Sequence, residues 1–148
     1  MTKKTKKIIL IAVLAIIVIT AVTGYMMWNK PHKDVKEADA VKITAMDLYN
    51  IFITDSSKAK SFYTDKVVLV SGDVNQVSQN QQAQQIILIK TAVTGAFINC
   101  TMEEKAADCK VGDKVIIKGI CSGYIAGDAD MGLPGDVFLV RGYLSKEK

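Results

Sequence analysis

Three observations on this 148-residue chain predict a mainly β fold with short helices, preceded by a single N-terminal transmembrane helix. From Ile8 to Trp28 run 21 consecutive residues without a charge, most of them aliphatic. Behind that run, two short stretches around Leu48 and Phe62 carry apolar residues at helical spacing. From Lys66 onward, five stretches show the period of two that a half-buried strand imposes.

The uncharged run comes first. At about 1.5 Å of rise per residue, a helix of that length spans roughly 30 Å, the hydrocarbon thickness of a bilayer. A lone segment in lipid must satisfy its own backbone hydrogen bonds, which makes it a helix despite its many β-branched residues. Tyr25 and Trp28 fall where interfacial aromatics belong. Lys3, Lys4, Lys6 and Lys7 precede the span with no acid among them, whereas Lys30, Lys33 and Lys36 behind it are mixed with Asp34, Glu37 and Asp39. The positive-inside rule therefore predicts a single pass through the inner (cytoplasmic) membrane, with the N-terminus in the cytoplasm and the rest of the chain outside it. The alternative is secretion after cleavage of a signal peptide. Its apolar region is shorter, though, and bulky Tyr25, Met26, Met27 and Trp28 follow the small residues here. A lipid-modified cysteine is excluded, because the first cysteine is Cys100.

Domain organisation follows: residues 1–7 a cytoplasmic basic stub, 8–28 the membrane helix in contact with lipid, 29–43 a charged stalk, and 44–148 the folded domain. All 15 acidic residues lie beyond Trp28, and four of the 19 basic ones lie before the span. The exported part is thus neutral overall and contains a single arginine, Arg141. Nucleic-acid binders draw most of their affinity from Lys and Arg on phosphates, so nucleic acid is a disfavoured partner. His32, the one histidine, lies in the stalk and reads as solvated.

Within the domain, Thr44 with Asp47 three residues on marks the start of a helix over Ala45–Ile53. Met46, Tyr49 and Ile53, or Leu48 and Phe52, provide its apolar side. Asp55 or Ser56 caps a second helix, Ser57–Tyr63, which turns Ala59, Phe62 and Tyr63 toward the core. Both helices are expected to plug a sheet.

The first strand, Lys66–Val77, places Val68, Val70 and Val74 on one face, with a bulge or bend expected at Gly72 and Val77 on the opposite phase. The second, Gln84–Lys90, follows a polar loop and is dominated by Ile86, Ile87, Leu88 and Ile89. The third, Ala96–Met102, alternates Ile98, Cys100 and Met102 against Phe97, Asn99 and Thr101. Glu103–Cys109 reads as a turn or two of helix, with Glu103 and Glu104 favouring its N-terminal dipole. A tight turn at Val111–Lys114 leads into strand four, Lys114–Tyr124, with Val115, Ile117 and Cys121 in phase. A Gly/Asp loop, Ile125–Gly135, precedes strand five, Asp136–Leu144. Five strands, the first long and bent, with a helix between the third and fourth, are the order of an OB-fold barrel. A five-stranded sandwich fits the same pattern.

The residues also resemble a known family. Tyr63, Lys66, Val67, Val70, Gly72 and Val74, then Ile98, Cys100 and Met102, then the run Gly112-Asp113-x-Val115-x-Ile117-x-Gly119-x-Cys121-x-Gly123, are similar to the tRNA_anti-like OB-fold proteins. The last run is the most specific part. The resemblance covers residues 47–144 and implies a barrel behind an N-terminal apolar segment, with no activity attached. The family pattern's further cysteine in the last strand falls at Gly142 here, which puts a metal site at these cysteines in doubt.

Cys100 and Cys121 share the core-facing phase of strands three and four, read as antiparallel neighbours. In an oxidising compartment they are expected either to form a disulfide, contributing about 3 kcal/mol through its roughly 20-residue loop, or to pack as free thiols. Cys109 is left over as a half-buried thiol.

Catalysis has little to stand on. With no histidine in the domain, Ser-His and Cys-His nucleophile pairs and most zinc sites are absent, and no enzyme activity, cofactor or metal is expected. Asp128, Asp130 and Asp136 faintly resemble a calcium loop but lack its third oxygen ligand and bidentate Glu. OB barrels bind through the outward face of strands two and three and the flanking loops. That geometry nominates Gln85, Phe97, Asn99, Thr101 and Tyr124, with the loops Gln79–Gln85 and Ile125–Gly135. The expected role is a membrane-tethered binding or adaptor module whose partner is an envelope protein, a peptide or a glycan. The alternative is a nucleic-acid-binding OB-fold protein.

Overall fold

The computed structural model describes residues 13, 15–25, 35–106, 108–128 and 130–145. The chain divides into two units, Met1–Asp34 and Val35–Lys148. In the first, residues 15–25 are helical, and Ile16, Ile17, Ile19 and Val22 are each more than half exposed. Among the described residues no helix is long and apolar enough to cross a membrane. The expected span 8–28 lies partly outside the described residues, and the stub 1–7 lies wholly outside them.

The second unit runs β1 (Val41–Thr44), α1 (Ala45–Thr54), α2 (Ser56–Tyr63), β2 (Val67–Gln79), β3 (Gln85–Lys90), β4 (Phe97–Met102), β5 (Lys114–Ile125) and β6 (Asp136–Ser145). Strands β2 to β6 close a five-stranded barrel in the order β2-β3-β4-β6-β5, with β5 returning to β2. Neighbours are antiparallel except β4 and β6, which run parallel. This is the expected OB-fold order. Its interior is the in-phase set predicted from alternation: Val68, Val70, Val74, Ile98, Cys100, Ile117 and Cys121 are fully buried, joined by Ile87, Ile89 and Leu139.

Both helices start at side-chain caps. The Thr44 hydroxyl accepts from Asp47 N at 3.1 Å and donates to the Asp47 carboxylate at 2.7 Å. Asp55 caps α2 by accepting from Lys58 N at 3.0 Å. α1 buries Ala45, Leu48, Tyr49 and Phe52 against the barrel, so Leu48 and Phe52 define its inner side while Met46 and Ile53 face outward. On α2, Ala59 is buried and Tyr63 partly so, but Phe62 is 57% exposed and turns away from the core.

Four expectations are corrected. The bulge in β2 falls between Val74 and Gln76 rather than at Gly72. Gly72 instead marks the crossing of α1 over the sheet, where a Cβ would collide with Ile89 and press on Ala45. Past the bulge Val77 packs on the core from the opposite phase, as expected.

The segment 29–43 is no simple stalk, because its described part, from Val35, belongs to the domain. Val35 is fully buried, and Val41–Thr44 pairs in parallel with Val68–Ser71. Lys36 adds surface ties: its carbonyl accepts from Lys118 Nζ at 2.7 Å, and its ammonium lies 2.6 Å from Glu104 and 4.7 Å above the Tyr143 ring. The pattern was missed because a four-residue parallel strand has its partner far along the chain and leaves no local periodicity.

No helix forms among the described residues of 103–113. The Gln85 side chain takes both backbone groups of Ala106, accepting from its N–H at 2.7 Å and donating to its carbonyl at 3.3 Å. Glu103 N–H is likewise drawn to Gly142 O at 2.9 Å. Those groups are lost to a helix, and α1, arriving from ahead of the barrel, does the plugging in its place.

Finally, β4 and β5 are not neighbours. β6 lies between them, and Cys100 and Cys121 each pair with Leu139. Two strand spacings separate their backbones by about 9 Å, beyond the roughly 7 Å that a disulfide can bridge without backbone movement. Both are free thiols here.

Candidate binding face

The outward phase of β3 and β4 makes one surface. Across the two strands Ile86 opposes Thr101, Leu88 opposes Asn99 and Lys90 opposes Phe97. The rows extend to both sides, since Gln76 opposes Leu88, Ser78 opposes Ile86, and Phe138 opposes Asn99. The central row is therefore Gln76–Leu88–Asn99–Phe138, two carboxamides interleaved with two apolar side chains. Ile86, Leu88, Phe97, Asn99, Thr101 and Phe138 are all partly exposed. Directly opposed side chains on such a face stand about 5 Å apart, close enough to act as a single surface.

The central row of this face carries no charge. Lys90 stands in the next row, and no carboxylate belongs to the central rows. Amide and hydroxyl groups supply donors and acceptors, while Leu88, Ile86 and the two Phe rings supply apolar area. Such a face suits a ligand that is both hydrogen-bonding and apolar. It lacks the run of cations needed to follow a phosphate backbone.

The nominated residues separate into two groups. Phe97, Asn99 and Thr101 stand on the outward phase of β4, as expected. Gln85 lies on the inward phase of β3, and its amide is committed to Ala106. Tyr124 is packed at the barrel end, stacked on Phe52 at 6.3 Å between centroids and edge-on to Tyr49 at 6.1 Å. Sequence reasoning missed Gln76, Ile86, Leu88 and Phe138. The signal was present in Ile86-Ile87-Leu88-Ile89, since a strand with one face on the core needs only alternate apolar residues.

Both expected binding loops are closed by their own hydrogen bonds. In the first, Asn80 Oδ1 accepts from Gln82 N and Gln84 N at 3.0 and 2.9 Å. In the second, Asp128 Oδ1 accepts from Asp130 N at 3.0 Å and Met131 N at 3.2 Å. Asp136 is used elsewhere, accepting from Phe97 N at 2.8 Å, which ties the start of β6 to that of β4. Burial pushes its carboxyl above the usual range, although the Phe97 N–H partly offsets this. The three carboxylates thus do not converge, and among the described residues no three His, Cys, Asp or Glu groups are placed to hold a metal.

Burial acts on all three thiols in the same direction. Burial raises Cys100, with Cys121 adding to the effect. Burial likewise pushes Cys121 up to about 11, with Gly123 N–H opposing. Cys109 is also raised, by burial and then by Asp113. A nucleophilic or metal-binding cysteine needs the opposite shift. At Gly142, where the family pattern has a cysteine, a Cβ would lie 2.9 Å from Met102 Sδ and 3.2 Å from Thr101 O, so the close β4–β6 approach favours glycine.

A family model described as tRNA_anti-like matches residues 1–131 of the chain. No curated protein matches it.

Proposed function

This chain belongs to the tRNA_anti-like family, and on that premise we propose that it is a membrane-tethered, non-catalytic binding or adaptor module. Its partner is uncharged at the point of contact: an envelope protein, a peptide or a glycan held on the outer face of β3 and β4. The observation that carries this reading is the central row Gln76–Leu88–Asn99–Phe138, which alternates carboxamide and apolar groups without a charge.

Tethering is supported by the character of residues 15–25. An apolar helix exposed on every side suits lipid, not water. Its hydroxyls also need no water: Thr20 Oγ1 donates to Ile16 O at 2.9 Å, and Thr23 Oγ1 donates to Ile19 O at 2.8 Å. The basic residues ahead of the span favour an orientation with the barrel outside the cytoplasm.

One experiment on the full chain in its membrane tests both parts. With a tag after Lys148, protease is expected to digest the barrel in spheroplasts and to spare it in intact cells. The same chain, reconstituted in nanodiscs, is expected not to bind single-stranded DNA or RNA at low salt. A tag lost only on lysis would overturn the topology. Salt-sensitive oligonucleotide binding would replace the neutral-partner reading with nucleic-acid binding.

A further inference from the structure

Midway along its length β6 carries one residue more than either neighbour. From Cys100 to Met102 β4 advances two positions while β6 advances three, Leu139 to Gly142. β5 shows the same step, since Lys118 and Ile120 pair with Tyr143 and Val140. The extra residue makes a bulge at Val140 and Arg141, and bulges re-aim side chains. Leu139 before it is fully buried, and a Cβ on Gly142 after it would point at Met102 and Ile117 in the interior. Both bulge residues therefore turn outward, Val140 exposed and Arg141 partly so. Arg141 holds a left-handed φ of 53°, which glycine adopts freely and a residue with a side chain adopts at a cost.

The guanidinium comes to rest beside Glu103, which continues the outward row Phe97, Asn99 and Thr101 of β4. It therefore stands at the margin of the face described above, next to Thr101. Its Nε lies 3.8 Å from Glu103 Oε2, too far for a hydrogen bond, and the side chain is 32% exposed. A planar fork of N–H donors is thus held in place, two-thirds covered, with no hydrogen-bond acceptor among the described residues. Backbone strain kept where glycine would relieve it points to a use for the side chain.

We infer that Arg141 is the anion anchor of this face, and that the ligand is an extended peptide whose free C-terminal carboxylate ends there. The inference rests on the neutral-face reading and deepens it, because the residues before the terminus lie uncharged over the central row. A guanidinium takes a carboxylate through two parallel N–H···O bonds. Glu103 close by disfavours a doubly charged group such as a phosphate monoester, which leaves a single carboxylate as the matching charge. β3 and β4 are paired along both edges, so the peptide is held by side chains and by its end, not as an added strand. Two residues along β4 measure about 7 Å, as do two residues of the peptide, which brings Thr101 and Asn99 level with groups near the terminus. The carboxamides of Gln76 and Asn99 both donate and accept, as a peptide group does. The middle of the face, Ile86 and Leu88, is aliphatic, so it favours aliphatic side chains over a glycan, whose rings would rest on aromatic platforms.

The test is an amide NMR titration of the full chain in nanodiscs with two pools of N-acetylated tetrapeptides of Ala, Leu, Val and Ser. One pool has a free C-terminus and the other is amidated. The free-acid pool is expected to shift the amides of Leu88, Asn99, Thr101 and Arg141. It is expected to bind about tenfold more tightly than the amidated pool, the worth of a hydrogen bond to a charged group. Arg141→Gly, which relieves the left-handed strain, is expected to melt no lower than the parent and to bind both pools equally. Arg141→Lys, which keeps the charge without the fork, is expected to retain only part of the preference. Glu103→Gln is expected to tighten the free-acid pool about twofold. If both pools shift Leu88 and Asn99 with equal affinity in the parent, the neutral face stands and the anchor falls. Shifts confined to other amides, or none, remove both. A preference that survives Arg141→Gly, or the same shifts from oligothymidine or a glucuronic acid oligosaccharide, would overturn the inference.

Discussion

Phe52→Ala is expected to lower domain stability by about 3–5 kcal/mol, the usual cost of emptying a large aromatic site in a core. Phe52 is 1% exposed and stacks on Tyr124, so the substitution leaves a void and removes the support of a second ring. Small domains are stable by about 5–15 kcal/mol in total, so little margin remains. A melting curve followed by circular dichroism should show the midpoint fall by on the order of 15 °C or more. Phe62→Ala is the matched control, since Phe62 is 57% exposed and its loss should change stability by about 0.5 kcal/mol or less. Equal losses in the two variants would mean that α1 does not plug the barrel as described.

The second large effect concerns where the domain begins. A soluble piece starting at Val35 is expected to be a stable monomer, and one starting at Thr44 is not. The shorter piece loses the buried Val35, worth roughly 1.5–3 kcal/mol, and uncovers the Val68–Ser71 edge of β2 that Val41–Thr44 occupies. Exposed strand edges pair with other chains. Sedimentation velocity should therefore show the shorter piece self-associating and melting lower. Identical behaviour of the two would show that β1 adds nothing to the fold.

That boundary shows what was legible in the sequence. Barrel strands have one wet face and one dry face, so their period of two can be read directly, as in Ile98, Cys100 and Met102 against Phe97, Asn99 and Thr101. Helix starts were legible because their caps are local: Thr44 and Asp55 bond within three residues. What could not be read depends on partners far along the chain. β1 needs β2, and Glu103–Cys109 has a helical composition that Gln85 overrides from 21 positions away. The cysteine pairing failed for the same reason, because phase told which face Cys100 and Cys121 occupy but not that β6 stands between them.

The candidate face was half legible. β4 declared its outward residues, while the apolar run in β3 concealed that Ile86 and Leu88 point away from the core. Gln85 was misplaced because the end of a strand gives too few alternations to fix its phase. Phe138 was not considered, because the parallel pairing of β6 with β4 brings it beside Asn99 only once the barrel closes.

That closure also bears on how the molecule is made. α1 and α2 lie between β1 and β2, and their own bonds join residues three or four apart. By contrast, the seams that complete the barrel, β2 with β5 and β4 with β6, join segments whose meeting must wait for most of the chain. Topologies of this kind pay their entropy before their contacts repay it, and they fold in milliseconds to seconds instead of microseconds. Until β6 arrives, β4 has a neighbour on one side alone. During synthesis the barrel therefore spends its early life as an open meander, and it becomes a closed surface only once β6 has been added.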